Sequence, residues 1–334
     1  DVLWVTFGEM DVSWAKLGIF EPLGRYADAE YLSDFDKPVI EAATMDGELY
    51  YIPSRVAILV WVYNTDLVQQ AGLAEPSYSW TWNTYLDYAK KLTRRTNEGR
   101  VSVYGTRVGD WPLHLYEFIF GAGGSLFDDP GTIVPNEAVY NRGEALRGFT
   151  FYADLAVKHR VAPLWGEGNF SFPGGTIAIL QDGSNIFVRL SELAPSLDYG
   201  ATLAPRDKVP YVAQGGGTGY GISSQSKHKD LAWELIKRLQ STEVLASIGA
   251  GDGATVTRRS ARRQLDRNLW HNRLWLEAGQ YYNPVSVVGF QEVLVQPLSD
   301  AMRSALRGEG PYEQLLDKAV QQSNVALNEW RLRH

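Results

Sequence analysis

Charged side chains stand directly after two predicted strands, which is where ligand-binding groups collect in open α/β sheets. Arg55 follows Pro53-Ser54 at the end of one strand, and Glu9 follows the first apolar segment in the same manner. A guanidinium donates hydrogen bonds to a polar small molecule, and a carboxylate accepts them from hydroxyls or balances a cation. We therefore expect Arg55 and Glu9 to contact a ligand, with a surface ion pair as the alternative role of Arg55.

Two short polar segments are further candidates for ligand contact. The glycine-rich run 215–219 lacks the Lys-Ser/Thr ending of a phosphate loop and opens a predicted strand rather than a helix. Its glycines let the backbone approach a ligand, so the candidates there are Gly216, Gly217 and Thr218. The segment 182–185 follows a predicted strand at 175–180 and reads either as a tight turn or as a ligand contact through Asp182, Ser184 and Asn185.

Aromatic rings are abundant, with 11 Trp and 18 Tyr. Rings stack on the apolar C–H faces of sugars, while polar groups bind the hydroxyls around them. Most aromatic residues pack in cores, and the strand and helix patterns predict this for Trp4, Trp61, Trp82 and Trp233. Trp165 lies in a polar, glycine-rich segment without apolar periodicity, so we expect it to face a ligand.

The motifs of common enzymes are absent from the sequence. It contains no Gly-x-Ser-x-Gly, no His-Glu-x-x-His and no cysteine, and its five histidines are scattered. The carboxylate pair at 128–129 is followed by Pro130-Gly131, which is typical of a turn. The sequence therefore favours a binding protein without cofactor or metal. A hydrolase acting on carbohydrates, with two carboxylates distant in sequence, is an alternative.

Size and charge restrict the partners. A chain of 334 residues is long enough for about two domains. The net charge of −7 and the pI near 5.4 argue against nucleic acid or an anionic bilayer as partner, and favour a neutral or cationic small solute. The longest apolar run, 57–63, is far below the roughly 18 residues that a membrane span needs.

The apolar patterns predict alternating strands and helices. Segments 2–5 and 57–63 show no alternation and are predicted to be strands covered on both faces. Asn64 is positioned to cap a helix over 65–71, and Thr81 or Ser79 to cap one that starts at Trp82. Further helices are predicted over 141–155, over 293–306, after Pro311, and over 229–239 with Leu231, Leu235, Ile236 and Leu239 on the apolar face.

Several blocks, in their order along the chain, resemble one family. The blocks are 1–5, 18–23, 46–50, 63–67, 80–82 with 89–93, 123–127, 176–180, 216–217, 222–228 and 232–241. Together they resemble the carbohydrate-type solute-binding proteins of ABC importers, the family that includes maltose-binding protein. The match runs nearly to residue 328, although the family usually has further strands and a helix before the equivalent of Asp1, so part of the first lobe is expected to be missing.

The resemblance implies a fold and a function. The fold would be the α/β two-lobe type II periplasmic-binding-protein fold, each lobe a mainly parallel sheet flanked by helices, with the ligand cleft at the hinge. Residues 1–81 and 212–265 would form lobe I, and 82–211 and 266–334 lobe II. The protein would bind a sugar or oligosaccharide by hinge closure and deliver it to a membrane permease. It would be a monomer in the periplasm or outside the cell, with a lipoprotein anchor as a possible addition.

The resemblance also implies further site residues. Trp111 and His114 lie in a segment where the family brings side chains into the cleft, although a lone His is often structural. Four aromatic residues precede Asn283-Pro284, where the chain is expected to border the cleft: Trp270, Trp275, Tyr281 and Tyr282. Asn185 stands where many sugar binders place a tryptophan. The adjacent tyrosines and the acidic charge leave ferric ion or a polyamine as alternative ligands.

Overall fold

The computed structural model describes the chain apart from residues 7–10, 131, 250–254, 265–272, 275–276, 279–280, 284 and 334. The strands are β1 (Val2–Thr6), β2 (Phe20–Glu21), β3 (Thr44–Met45), β4 (Glu48–Leu49), β5 (Tyr51–Asn64), β6 (Arg94–Arg95), β7 (Val101–Thr106), β8 (Ile177–Gly183), β9 (Tyr199–Thr202), β10 (Val212–Ser223), β11 (Thr255–Val256) and β12 (Tyr282–Asn283).

The helices alternate with these strands. They are α1 (Asp11–Lys16), α2 (Ala29–Leu32), α3 (Lys37–Ala42), α4 (Thr65–Gln70), α5 (Trp82–Leu92), α6 (Pro112–Gly121), α7 (Gly143–Val157), α8 (Ile186–Leu193), α9 (Lys229–Leu239), α10 (Thr242–Gly249), α11 (Arg259–Arg262), α12 (Gln296–Leu306), which a π-helical turn (Gln291–Val295) precedes, and α13 (Tyr312–Arg333). Within the described part of the chain, no helix combines the length and apolar character of a membrane span.

The chain divides into two compact units. The first comprises Asp1–Ile58, Gly183–Val188 and Gln214–Phe290, and the second comprises Leu59–Asp182, Arg189–Ala213 and Gln291–His334. The predicted lobes assign residues 59–81, 183–188, 212–213 and 266–290 differently from these units. The lobe boundaries therefore stay a prediction.

In the first unit, the pairs of β1, β2 and β5 with β10, of β11 with β5 and of β3 with β4 are all antiparallel. β10 lies between β1 and the first part of β5, and it pairs antiparallel with both. β2 pairs with β10, and β11 pairs with β5, also antiparallel. The expectation of mainly parallel strands is wrong for this unit. Apolar patterning reports whether both faces of a strand are covered, but it does not report the direction of the neighbouring strand.

The first strand is only partly buried, contrary to the prediction for segment 2–5. Within β1 only Val5 is fully buried, and Trp4 is 52% exposed. β1 stands at the end of the strand order and pairs with β10 alone. An edge strand leaves part of its surface uncovered, so Trp4 is not the core residue that the apolar run indicated.

Helix α9 buries only part of the predicted apolar face, since Ile236 is fully buried but two of the predicted leucines are exposed. Leu231 and Leu235 are 70% and 49% exposed, whereas Trp233 is 6% exposed. The Trp233 ring packs against the rings of Tyr26 and Tyr31, at centroid distances of 5.7 and 5.4 Å. Burying an indole gains more than burying a leucine side chain, so the tryptophan decides the orientation of the helix.

In the second unit, β8 and β7 form a parallel pair. The strand order is the last part of β5, then β8, β7 and β6, with β9 also pairing with β5. Tyr104 stands opposite Ile177 in the β7–β8 register. Two predicted helix caps that open helices of this unit are confirmed: Asn64 accepts a hydrogen bond from the Leu67 amide, and Thr81 from the Thr84 amide.

One close approach fixes the pairing of β9 with β5. Gly200 stands opposite Tyr63, and a Cβ atom at position 200 would come within 2.2 Å of the Tyr63 phenol ring. The Tyr63 hydroxyl donates to the Glu75 carboxylate at 2.8 Å. The phenol therefore occupies the space that any side chain at position 200 would need.

Aromatic rings form the core beside β5. Trp61 is 1% exposed, and its ring lies 4.8 Å from that of Tyr85 and 5.8 Å from that of Trp80, both edge-on. The Trp82 ring stacks on Phe151 at 4.5 Å. The prediction that Trp61, Trp82 and Trp233 are core residues is confirmed.

A single carboxylate lies inside this core. Glu117 of α6 is 2% exposed, and its Oε2 accepts hydrogen bonds from Trp61 Nε1 and Gln181 Nε2, both at 2.7 Å. Its Oε1 accepts one from the Ala213 amide at 3.1 Å. Burial raises the pKa of Glu117 to about 7, although these hydrogen bonds favour the ionised form.

The raised pKa of Glu117 predicts how stability depends on pH. Between the ordinary pKa of 4.5 and about 7, the folded protein holds a proton that the unfolded chain has lost. The contribution of the protonated Glu117 to the free energy of unfolding is fully present below pH 4.5 and is lost as pH rises through 7. This change is on the order of 3 kcal/mol. Glu117→Gln should remove this component, which urea unfolding of both proteins at several pH values measures.

The exposed Glu313, at the start of α13, provides the matched control. Glu313→Gln removes a carboxylate without touching the core, so the pH dependence of its unfolding free energy should follow that of the unmodified protein. If Glu117→Gln also follows that curve, the buried carboxyl is not the source of the effect.

Candidate functional site

Three polar residues form a row across the sheet of the first unit. Thr6 of β1 stands opposite Thr218 of β10, which stands opposite Arg55 of β5. Directly opposed residues share a face of the sheet, and Arg55 Nε donates to Thr218 Oγ1 at 3.3 Å. The Thr6 hydroxyl is buried without a hydrogen-bond partner among the described residues. The row thus combines the predicted Arg55 and Thr218 with a threonine that the sequence did not single out.

The glycines next to this row lie inside a strand, not in a loop before it. Gly216 and Gly217 belong to β10, opposite Ala57 and Val56, and the register shifts between Gln214 and Gly216. Gly216 has φ of 119°, a conformation that side chains rarely adopt, and the space where its Cβ would stand is open. The glycine therefore permits an irregularity of the strand beside Thr218.

The predicted segment after β8 places its residues differently. Ser184 is fully buried, its amide donates to the Ile58 carbonyl at 2.9 Å, and its hydroxyl lacks a partner among the described residues. Asn185 is exposed, and Asp182, which belongs to the second unit, forms an ion pair with Arg189. Asp182 and Gly183 are the last residues of β8, and Ser184 and Asn185 form the turn into α8. The exposed side chain of this segment is Asn185.

Several predicted site residues lie outside the part of the chain that the structure describes. Glu9, Trp270 and Trp275 are not among the described residues, and Tyr282 is described only as part of β12. Tyr281 is half-buried in the turn before β12, and its amide donates to the Ala278 carbonyl at 2.9 Å. Ligand contact by these residues stays a prediction.

In the second unit, the parallel strands β7 and β8 end at the same edge of the sheet. Arg107 follows β7 directly, and the chain then runs through Trp111 into α6. The Tyr152 hydroxyl accepts from the Gly109 amide at 2.7 Å, and Asp110 pairs with Arg303 at 2.7 Å. The carboxyl ends of parallel strands are the usual place for ligands in α/β sheets, so this anchored segment is a candidate binding surface.

The two predicted residues of this segment contact each other. The Trp111 ring is 41% exposed and stands edge-on to the His114 imidazole, with centroids 5.4 Å apart. His114 Nε2 is buried without a partner in the described part of the chain, and burial lowers the pKa of His114 to about 4. A neutral imidazole therefore supports the indole at neutral pH, and the exposed group that a ligand meets is Trp111.

Trp165 lines a cavity of about 310 Å³ in the second unit. The cavity walls also include Arg107, Val108, Glu167 and Phe170. Trp165 is 38% exposed, and its amide donates to the Leu306 carbonyl at 3.1 Å. The volume is at the lower end of small-molecule sites, which begin at roughly 300 Å³. The prediction that Trp165 is not a core residue agrees with this position.

Glu167 holds the loop that carries Trp165. Its carboxylate accepts from the Leu164 amide at 2.9 Å and from the Tyr104 hydroxyl at 2.7 Å. Burial acts to raise the pKa of Glu167, but these hydrogen bonds and the positive charges of Arg160 and Arg95 outweigh it, so the pKa lies below its ordinary value. The cavity thus presents a carboxylate, a guanidinium and an indole.

These groups suit a hydroxylated ligand. An exposed indole offers a stacking surface, and the carboxylate and guanidinium offer an acceptor and donors for hydroxyls. Arg107 and Thr6 were not predicted from the sequence, although both stand at strand ends. Arg55 and Glu9 are predicted by the same reasoning. Among the residues that the structure describes, no three His, Cys, Asp or Glu side chains are placed to hold a metal ion.

Solved structures with similar folds are binding proteins. An ABC substrate-binding protein from Listeria monocytogenes in complex with cycloalternan superposes with a TM-score of 0.82 at 22% identity, covering 98% of this chain and 85% of that one. The cyclic α-maltosyl-1,6-maltose binding protein from Arthrobacter globiformis gives 0.81 at 18% identity, with 98% and 85% covered. The chain has their mixed α/β fold, the type II periplasmic-binding-protein fold.

Sequence relatives point the same way. A protein of Brucella abortus (strain 2308) is 22% identical over 338 residues, which covers 95% of this chain and 77% of the relative. The arabinooligosaccharide-binding protein of Halalkalibacterium halodurans is 25% identical over 205 residues, which covers 57% of this chain and 43% of that protein. The family model described as bacterial extracellular solute-binding protein matches residues 1–246. This match covers most of the 334 residues, so the chain belongs to the bacterial extracellular solute-binding protein family.

Proposed function

We propose that the protein binds a sugar or oligosaccharide and delivers it to the membrane permease of an ABC importer. The observation that carries the proposal is the pair of exposed indoles in the segments that follow and flank β7. Trp111 and Trp165 are 41% and 38% exposed, whereas Trp61, Trp80 and Trp82 in the same unit are almost fully buried. Exposed aromatic surface beside charged groups is the combination that sugar recognition requires.

The relatives support a carbohydrate ligand. The Halalkalibacterium protein is named for arabinooligosaccharides, and the Listeria structure contains cycloalternan. A further solved structure of this fold, which covers 98% of the chain, holds maltotetraose. These ligands share hydroxyl-rich rings of neutral charge, in keeping with a site that offers both donors and acceptors.

The proposed mechanism is hinge closure of two lobes around the ligand, followed by docking of the closed form onto the permease. Within the first unit, the polar row Thr6–Thr218–Arg55 would offer groups that bind hydroxyls, and within the second unit the two indoles would offer surfaces on which a sugar ring stacks. No bond is made or broken. Consistent with the family, the protein would act outside the cytoplasm as a monomer, with lipid anchoring as one way to remain at the membrane.

Isothermal titration calorimetry against a panel of ligands tests the proposal. The panel contains mono- and oligosaccharides, a polyamine and ferric ion, and the sugar samples are assayed afterwards for released products. Binding of a sugar without product formation supports the proposal. Binding of only the polyamine or ferric ion would replace the ligand class, and released product would make the protein a hydrolase.

Removing either exposed indole should weaken sugar binding. Trp165→Ala and Trp111→Ala each remove a stacking surface, and we expect losses of about 1–3 kcal/mol, a rise in Kd of roughly 5- to 150-fold. Calorimetry with the best sugar of the panel measures both. Trp330→Ala, which removes a half-buried indole from α13, serves as the control and should leave Kd unchanged. Unchanged affinity in both site variants would remove the indoles from the site.

Removing the Thr218 hydroxyl should weaken binding through Arg55. Thr218→Val keeps the shape of the side chain but removes the hydroxyl that accepts from Arg55 Nε. Losing one hydrogen bond to a charged group costs about 1.5–3 kcal/mol. The lower end of this range corresponds to a rise in Kd of roughly tenfold, which is the effect that we expect. Thr218→Ser keeps the hydroxyl and should bind like the unmodified protein. Equal affinities of the Val and Ser variants would contradict a role for this row.

A further inference from the structure

One polar contact connects the buried Glu117 to the candidate site. Gln181, which is 4% exposed, donates from Nε2 both to Glu117 Oε2 at 2.7 Å and to the His114 carbonyl at 3.0 Å. The His114 carbonyl lies in the first turn of α6, three residues after Trp111. Gln181 itself is followed by Asp182 at the end of β8. A single amide thus fixes the start of α6 relative to the end of β8.

The carboxylate in turn fixes this amide. Glu117 collects donors from three separate segments, through Trp61 of β5, Gln181 of β8 and Ala213 of β10. A carboxylate has two accepting oxygens and no donor, so it satisfies all three donors at once. A glutamine at position 117 would keep one accepting oxygen and turn its amide group toward donors. A leucine would leave all three donors buried and unpaired.

The network surrounds a carboxyl group whose ionisation the core opposes. Burial of the carboxylate disfavours its charged form, which is why the pKa of Glu117 lies above its ordinary value. The directional hydrogen bonds hold particular atoms at particular distances, which apolar packing does not do.

We infer that Glu117 is a positioning residue of the ligand site, which holds Trp111 in its binding position through Gln181 and the His114 carbonyl. This inference rests on the proposed function, because Trp111 is taken to stack on the sugar. Without the Glu117–Gln181 contact, Gln181 is free to change its side-chain conformation, and the first turn of α6 loses a hydrogen bond. The segment 107–114 would then sample several arrangements, of which only one suits the ligand.

Hydrogen–deuterium exchange of the ligand-free protein tests the positioning step directly. In Glu117→Gln and Gln181→Met, the backbone amides of 107–114 should exchange at least several-fold faster than in the unmodified protein. Gln181→Met leaves Glu117 paired with Trp61 and Ala213, so it tests the same contact if Glu117→Gln does not fold. Unchanged exchange of 107–114 in the variant or variants that fold would overturn the inference.

Tyr140→Phe provides the matched control. It removes a buried hydrogen bond of the same unit, between the Tyr140 hydroxyl and Ser323 Oγ at 2.8 Å, which shares no atom with the network. This variant should melt at a lower temperature but exchange normally at 107–114 and bind with the same Kd. If Tyr140→Phe also accelerates exchange at 107–114, the effect is a general loss of stability and the inference fails.

Affinity and its pH dependence complete the test. With the best sugar of the panel, Kd should rise about tenfold in Glu117→Gln and Gln181→Met. The Kd of the unmodified protein should change between about pH 5 and pH 8, where Glu117 gains or loses its proton, and that of Glu117→Gln should not. The charged groups that act on His114 in this turn are Asp182, Arg107 and Asp110. The His114 imidazole itself stays neutral between pH 5 and pH 8, because burial lowers its pKa to about 4.

The two proposals fail in different ways. If no sugar binds the unmodified protein, the proposed function fails, while the exchange measurement still decides whether Glu117 positions the segment 107–114. If sugar binds and the variants exchange faster at 107–114 but keep the unmodified Kd, the proposed function stands and the positioning role in binding is wrong.

Discussion

The constraint on which the described structure depends is that β5 is buried along nearly its whole length. Its first part pairs with β10 and β11 and its last part with β9, with β8 as a further neighbour. A strand in this position must be apolar at nearly every residue, and within β5 only Arg55 and Ala57 escape full burial. Arg55 is therefore the one charge that this strand brings to a surface, and the indole of Trp61 is the donor that it brings to Glu117.

Two glutamates show how environment divides one residue type between two roles. Glu117 is almost fully buried and has a raised pKa, whereas Glu167 is partly exposed and has a lowered one. Both accept hydrogen bonds, so the hydrogen bonds alone do not explain the difference. At Glu117 the effect of burial on the pKa outweighs that of the hydrogen bonds. At Glu167 the hydrogen bonds, together with the charges of Arg160 and Arg95, outweigh burial. The first carboxyl lies behind the candidate site as a support, and the second lies in the wall of the cavity as a group that a ligand can meet.

Local chemistry was predictable from the sequence, and long-range contact was not. The caps at Asn64 and Thr81 and the buried run of β5 follow from rules that act over a few residues. Thr6 is a candidate only because β10 places it opposite Thr218. From the sequence, Glu117 is only a polar residue in an apolar helix, and its hydrogen bonds with Trp61 and Gln181 come from distant segments. Trp4 was misassigned because an apolar run does not reveal whether a strand lies at the edge of its sheet.

The pairing of Gly200 with Tyr63 has a consequence for how this chain can vary among its relatives. The phenol ring fills the position of a side chain at 200, and its hydroxyl is held by Glu75. A substitution at 200 is therefore tolerated only after residue 63 has become smaller, and a smaller residue 63 leaves a void that a side chain at 200 can fill. In an alignment of the family, the two columns should co-vary, with glycine at one accompanying a large ring at the other.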